Sequence, residues 1–183
     1  MDAACIVAIP AIGPICASMP WLGAPLDTKP VALSLTDARA LVEQMGRSEA
    51  WRKIDAMEEE LEQHPDVAFE LVTNHVFTPG LYMRSVFMKA GDFVTTRIHL
   101  TEHPYIISAG RVLVWTDDQG VVELCASHQG VTKPGTRRLL YIVEDCIWTT
   151  CHANPDNETD PDKIVEHSTY NNRLLRQKMR DTL

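Results

Sequence analysis

The stretch GDFVTTRIHLTEHPYIISAG, Gly91 to Gly110, decides how this chain is read. Thr95, Arg97 and His99 stand two apart and share one face of an extended strand, because successive strand side chains point to opposite sides. Pro104 follows His103 at once and denies the segment a continuing helix. Glycines bound the stretch at both ends, as turns between strands require.

The period-two pattern continues outward. Apolar runs at Ala68–Thr73, Leu81–Lys89, Phe93–Leu100, Tyr105–Ser108, Arg111–Trp115, Val121–Ser127, Leu139–Val143 and Ile147–His152 are separated by turn residues. The breaks are Thr78-Pro79-Gly80, Lys89 to Asp92, Ala109-Gly110, Thr116 to Gly120, Lys133 to Thr136 and Glu144-Asp145. About eight short strands at regular spacing predict a sandwich or barrel over residues 67–155.

Helical periodicity occupies the flanks. Ala38, Leu41, Val42 and Met45 recur on one face, with Thr36 or Asp37 as cap. Gly46 ends that helix, and Ser48 caps a second that carries Trp51, Ile54, Met57 and Leu61 on one side. Glu58, Glu59, Glu60 and Glu62 read as its solvated face, and Pro65 stops it. Residues 1–66 thus form an apolar arm plus a helical extension. The arm, Ala3 to Pro25, is interrupted by Pro10, Pro14, Pro20 and Pro25 and has no Lys or Arg before Lys29, so neither a signal peptide nor a membrane helix fits. It is expected to pack on its own domain or on a second copy of the chain. Residues 156–183 read as an acidic linker followed by a helix over Asp162 to Met179.

The chain of 183 residues is 45% hydrophobic, enough for a sizeable core. Its 25 acidic and 17 basic side chains give a net charge of −8, which repels a nucleic-acid polymer. Five cysteines without a CxxC pair fit neither a disulfide framework nor a zinc knuckle, and a reduced, cytoplasmic setting is expected.

The Gly91–Gly110 stretch resembles the first signature motif of the cupin superfamily: Gly, five residues, His-x-His, three or four residues, Glu, six residues, Gly. Arg97 stands at the first His position and His103 at the Glu position. The second motif, Pro-x-Gly-x-x-His, resembles Lys133-Pro134-Gly135-Thr136-Arg137-Arg138, with Arg138 at the His position. The run from Phe77 to Ala153 is also similar to a group of cupin-like bacteriophage proteins without settled activity. The resemblance implies a mainly β fold, a cupin-type double-stranded β-helix (jelly-roll) barrel with an N-terminal helical extension and a C-terminal helix. It also implies a homodimer or higher oligomer.

The usual cupin site places three His and one Glu around a divalent metal. Two of those four positions are guanidinium groups here, which cannot ligate. If Arg97 and Arg138 point inward, they need an anionic partner. That partner is either internal, at Glu102, Glu123 or Glu144, or a small anionic ligand held by paired hydrogen bonds. In the ligand reading His99, His103 and His152 hydrogen-bond, and Tyr105, Tyr141 and Trp148 line the walls, with Tyr82 and Trp115 as further candidates; the same aromatics also suit an ordinary core. A nucleotide-type signal captured by a sequestering protein is one form of this reading, which needs no cofactor. The alternative is a metal-dependent oxygenase, isomerase or lyase with His99, His103 and His152 holding Zn, Fe, Mn or Ni and Glu102 carrying protons. A third reading is a virion or assembly protein with a vestigial pocket. His99-Leu100-Thr101-Glu102-His103 also matches the inverted zinc-peptidase motif, which needs a helix that Pro104 forbids. Cys151 and His152 point to opposite faces of a strand, so they make no nucleophile–base pair, and Cys151 is expected in the core. His64, His75, His128 and His167 are expected in solvent, with His75 the one to watch because it stands where the first barrel strand could start.

Overall fold

The computed structural model describes residues 34–45, 48–64 and 70–181. The apolar arm, Cys5, Cys16, Gly46, Pro65 and the side chain of Met45 lie outside the described residues. The chain order is α1 (Leu35–Met45), α2 (Glu49–Glu62), β1 (Val72–Thr78), β2 (Gly80–Met88), β3 (Phe93–Thr95), β4 (Ile98–His99) and β5 (His103–Thr116). Then follow β6 (Gly120–Cys125), β7 (His128–Thr132), β8 (Leu139–Asn154), α3 (Pro161–Ser168), β9 (Thr169–Tyr170) and α4 (Asn172–Asp181). The fold is mainly β and antiparallel, with helices before and after the strands.

Strands β5 and β8 form the spine. They pair with each other before and after register shifts between Ile107 and Val112. On one side of that corner the order is β1-β2-β8-β5-β7, and on the other it is β3-β8-β5-β6. Gly110 makes the corner possible. Its φ is +84°, and a Cβ there would lie 2.1 Å from the Asp145 carbonyl oxygen. Only glycine combines that left-handed backbone with so close an approach. The breaks expected at Ala109-Gly110 and Glu144-Asp145 are therefore one corner, where two long strands bend without ending. Three further readings differ from expectation: β1 runs on to Thr78, β7 was not foreseen as a strand, and the strand expected over Phe93–Leu100 breaks between Thr95 and Ile98, so that β3 pairs with β8 and β4 with β9.

Inward side chains of both arms form one core. Val86, Met88, Val94, Tyr105, Ile107, Val112, Val114, Leu140, Ile142, Cys146 and Trp148 are buried together. Each fully buried aliphatic side chain of this size stabilises the fold by about 1.5–3 kcal/mol.

A second core joins the helices to β4 and β9 through Ala38, Val42, Trp51, Ile98, Leu100, Tyr170 and Leu175. Helix α1 is capped by the Ser34 hydroxyl, which accepts from the Asp37 N–H at 3.2 Å, so the cap lies earlier than Thr36 or Asp37. Ser48 caps α2 as expected, accepting from the Trp51 N–H at 3.2 Å. Glu58 departs from the expected solvated face, since it is only 5% exposed. It meets Arg137 at 3.1 Å and also pairs with Arg176, while Asn172 donates to it at 3.0 Å. Arg137 also stands 2.8 Å from Asp55 and over the Trp51 ring. Burial raises the pKa of Asp55, against the opposing pull of Arg137.

The single C-terminal helix expected over Asp162 to Met179 is two helices with a strand between them. Pro161 starts α3 behind the Asp160 cap. The Ser168 and Thr169 hydroxyls bond back to the Ile164 and Val165 carbonyls, and Thr169 and Tyr170 leave the helix to pair with His99 and Ile98. Asn171 then caps α4, accepting from the Arg173 N–H at 2.9 Å. Among the described residues no helix is long and apolar enough to cross a membrane.

Candidate functional site

Cross-strand register builds a polar cup on the inner face of the β1-β2-β8-β5-β7 arm. One rung runs His75, Arg84, Thr150, Tyr105, Gly130. A neighbouring rung brings Phe77, Tyr82 and His152 together. His103 lies beside His152, with ring centroids 4.1 Å apart. His99, carried by β4, approaches His103 at 4.7 Å. Its position is fixed by backbone bonds from His99 to Thr136 and from Gly135 to His99, which tie β4 to the Lys133–Thr136 turn.

Two His–Tyr pairs flank β8. His75 Nδ1 and the Tyr82 hydroxyl are 2.7 Å apart, and His128 Nε2 and the Tyr105 hydroxyl 3.2 Å. Tyr105 stacks on Trp148 with centroids 4.6 Å apart. The Tyr105 ring lies over the bare backbone of Gly130, where a Cβ would sit 2.7 Å from the phenol oxygen.

Arg138 enters from the turn before β8. It is 7% exposed, donates to the Thr132 hydroxyl at 3.0 Å and lies over the rings of Tyr105 and Trp148. Arg84 lies across the arm from it in sequence register, half-buried opposite Thr150. No carboxylate among the described residues forms an ion pair with either guanidinium. Burial pushes both pKa values down, and Asp118 acts on Arg138 only as a weaker charge.

The imidazoles are neutral. Burial lowers His103 to about 3 and His152 to about 4. Burial first, then the neighbouring imidazoles and guanidinium groups, holds His99 well below its ordinary value. Nδ1 of His99, Nε2 of His103 and Nδ1 of His152 are sealed from solvent without a hydrogen-bond partner.

The structure thus gathers His99, His103, His152, Arg138, Tyr105 and Trp148. It separates others. Tyr141 lies on the opposite face of β8, an odd number of residues from Trp148. Trp115 likewise faces outward, toward Ile54 and Met57 of α2. Glu102 is exposed, and the Thr101 carbonyl, not Glu102, orients His103 at 3.0 Å. Arg97 is half-buried in the gap between β3 and β4, where its charge bears on Arg84. Glu123 and Glu144 pair with Arg111, at 3.1 and 3.2 Å, and not with Arg97 or Arg138. Cys151 is half-buried on the face opposite His152.

Arg84 and His128 escaped the sequence reading as site residues, and His75 and Tyr82 were underweighted. A signal for Arg84 exists: it breaks an otherwise apolar face formed by Tyr82, Val86 and Met88. His128 had none, because β7 carries little apolar alternation.

A cupin metal would require ligands around one point. Among the described residues no group of three or more His, Cys, Asp or Glu side chains could hold a metal ion. His99, His103 and His152 are neighbours, but as placed they do not fit that role.

No protein-family model and no curated protein matches the sequence. Among solved structures, the chain is similar to ectoine synthase from P. lautus, with 12% identity over 54% of this chain and 72% of that one and a TM-score of 0.43. It is similar to a cupin-2 domain protein from Shewanella frigidimarina, with 15% identity over 45% of this chain and 80% of that one and a TM-score of 0.38. An RmlC-like cupin with a double-stranded β-helix fold from Methanocaldococcus jannaschii shares 13% identity over 51% of this chain and 84% of that one, with a TM-score of 0.40.

Proposed function

We propose that this chain binds a small anion in the cup. The supporting observation is Arg138, a buried guanidinium with no carboxylate partner among the described residues, with the half-buried Arg84 likewise without one on β2 of the same sheet. A buried charge left alone costs several kcal/mol, and an anion from solution offsets that cost. Carboxylates and phosphates match the forked guanidinium donors. Tyr105 and Trp148 stack on each other and cradle Arg138, so these rings hold the cation in place and leave no slot between them for a base. The reading is of a binding protein for a compact anion, with a nucleotide as the less supported ligand.

The test is thermal unfolding of the purified protein with chloride, sulfate, phosphate, carboxylates and nucleotides at equal ionic strength. At least one anion class should raise Tm, and Arg138→Met should abolish the rise. The reading fails if no anion shifts Tm beyond the chloride control. It also fails if metal analysis finds a stoichiometric ion that His103→Ala releases, since the imidazoles then serve a metal.

A further inference from the structure

The hydrogen-bond network fixes which imidazole nitrogens carry protons. His103 Nδ1 lies 3.0 Å from the Thr101 carbonyl oxygen, which can only accept. Nδ1 is therefore the N–H, and Nε2 of this neutral ring holds a lone pair. The Thr150 hydroxyl donates its one proton to the Arg84 carbonyl, at 3.4 Å. The same hydroxyl stands 3.1 Å from His152 Nε2, a contact whose direction follows the tautomer; with Nε2 as the donor, the lone pair of His152 is on Nδ1. Both lone pairs, on His103 Nε2 and His152 Nδ1, are buried without a donor. Their rings are adjacent, and Arg84 and Arg138 belong to the same inner face.

Among the described residues the cup therefore has two complementary deficits: guanidinium donors lacking an anion, and imidazole acceptors lacking a donor. A ligand made only of acceptors, such as sulfate, meets the first deficit. It turns oxygen lone pairs toward imidazole lone pairs at the second. We infer that the cup is built for a hydroxylated anion, whose carboxylate or phosphate pairs with the arginines while its hydroxyl donates to His103 Nε2 or His152 Nδ1. This deepens the anion-binding reading and rests on it. It adds a requirement that charge alone does not impose, namely an O–H within the same small molecule.

The experiment is titration calorimetry on the full chain with matched pairs of equal charge: malate against succinate, and glycerol 3-phosphate against propyl phosphate. The two pairs distinguish a carboxylate from a phosphate head. The hydroxylated member of at least one pair should bind about tenfold more tightly, one hydrogen bond to a buried acceptor being worth roughly that factor. The preference should collapse in one of His103→Leu and His152→Leu, whichever ring accepts the hydroxyl, and it should survive in Glu102→Gln, outside the cup; a preference that survives both leucine variants overturns the inference. Circular dichroism checks that each variant is folded. If both members bind equally and Arg138→Met abolishes both, the anion reading stands and the hydroxyl requirement is overturned. If neither member of either pair binds, both readings fall. A hydroxyl preference seen only after zinc or manganese is added also overturns the inference, because the lone pairs then belong to the metal.

Discussion

Arg137 and Arg138 are consecutive, yet their guanidinium groups serve opposite sides of the segment that leads into β8. Arg137 turns toward α2 and meets Asp55 at 2.8 Å and Glu58 at 3.1 Å. Arg138 turns into the cup and meets hydroxyl and aromatic faces only. One charge is neutralised by the chain, and no carboxylate among the described residues pairs with the other. Alternation along an extended backbone is the cause: neighbours cannot share a side.

The pair predicts effects of opposite sign. Arg137→Met leaves the half-buried Asp55 and the buried Glu58 each short of one partner and should cost about 3–5 kcal/mol of unfolding free energy. Arg138→Met removes an uncompensated buried charge, so the unliganded protein should be equally stable or more stable. Urea unfolding of both variants is the measurement. Equal losses would show that Arg138 is as fully compensated as Arg137.

The Tyr105 ring depends on the missing Cβ of Gly130. Gly130→Ala should displace the ring, breaking its stack on Trp148 and its contact with His128, and should cost about 1–3 kcal/mol. Tyr105→Phe keeps the ring and loses only the hydroxyl contact, for about 1 kcal/mol. The order of the two midpoints in denaturant checks this, and a milder effect from Gly130→Ala would contradict the packing described.

Acid should weaken the fold. His103 and His152 have folded pKa values of about 3 and about 4, both below their ordinary 6.5. Between those values and 6.5 the unfolded chain binds protons that the folded chain refuses. Stability is therefore full above pH 6.5 and falls as the pH drops toward 4, by at most ~1.4 kcal/mol per pH unit per histidine. Tm measured from pH 7.5 to 4.5 should decline, and His103→Gln should flatten the slope. An unchanged slope would mean that His103 titrates normally in the fold.

The wall bearing His99 leans on the C-terminal segment. Among the described residues β4 pairs with β9 alone, and the Leu100 N–H bonds to the Ser168 carbonyl at 2.8 Å. Leu175→Ala, at a site 1% exposed, should cost about 2–5 kcal/mol and should also weaken anion binding from outside the cup. Calorimetry at a temperature where the variant is folded reads the second effect. Wild-type affinity would show that His99 is held without α4.

Much of this was legible in the sequence, and the failures share physical causes. Period-two alternation located most strands, and the glycine spacing located Gly110 at its corner. Alternation cannot tell a bend from a break, so β5 and β8 were each read as two strands. Treating Leu139–Val143 as separate put Tyr141 in the site, although its odd offset from Trp148 places it on the far face. Four consecutive-looking glutamates suggested a solvated helix face. The cations that bury Glu58 come from Arg137 and Arg176, far away in sequence and invisible to helical periodicity. His128 was lost with β7, and with it the partner of Tyr105.

The shared spine divides labour along its length. Beyond the corner its inner face is plain hydrocarbon, with Val112 and Val114 opposite Leu140 and Ile142. Before the corner the same two strands present Tyr105, Thr150 and His152. Polar side chains therefore gather at one end of each ribbon, while Ile107, Cys146 and Trp148 carry the shared hydrocarbon core through the corner to meet them. The polar rows and the packing that holds them upright thus share the same stretch of backbone.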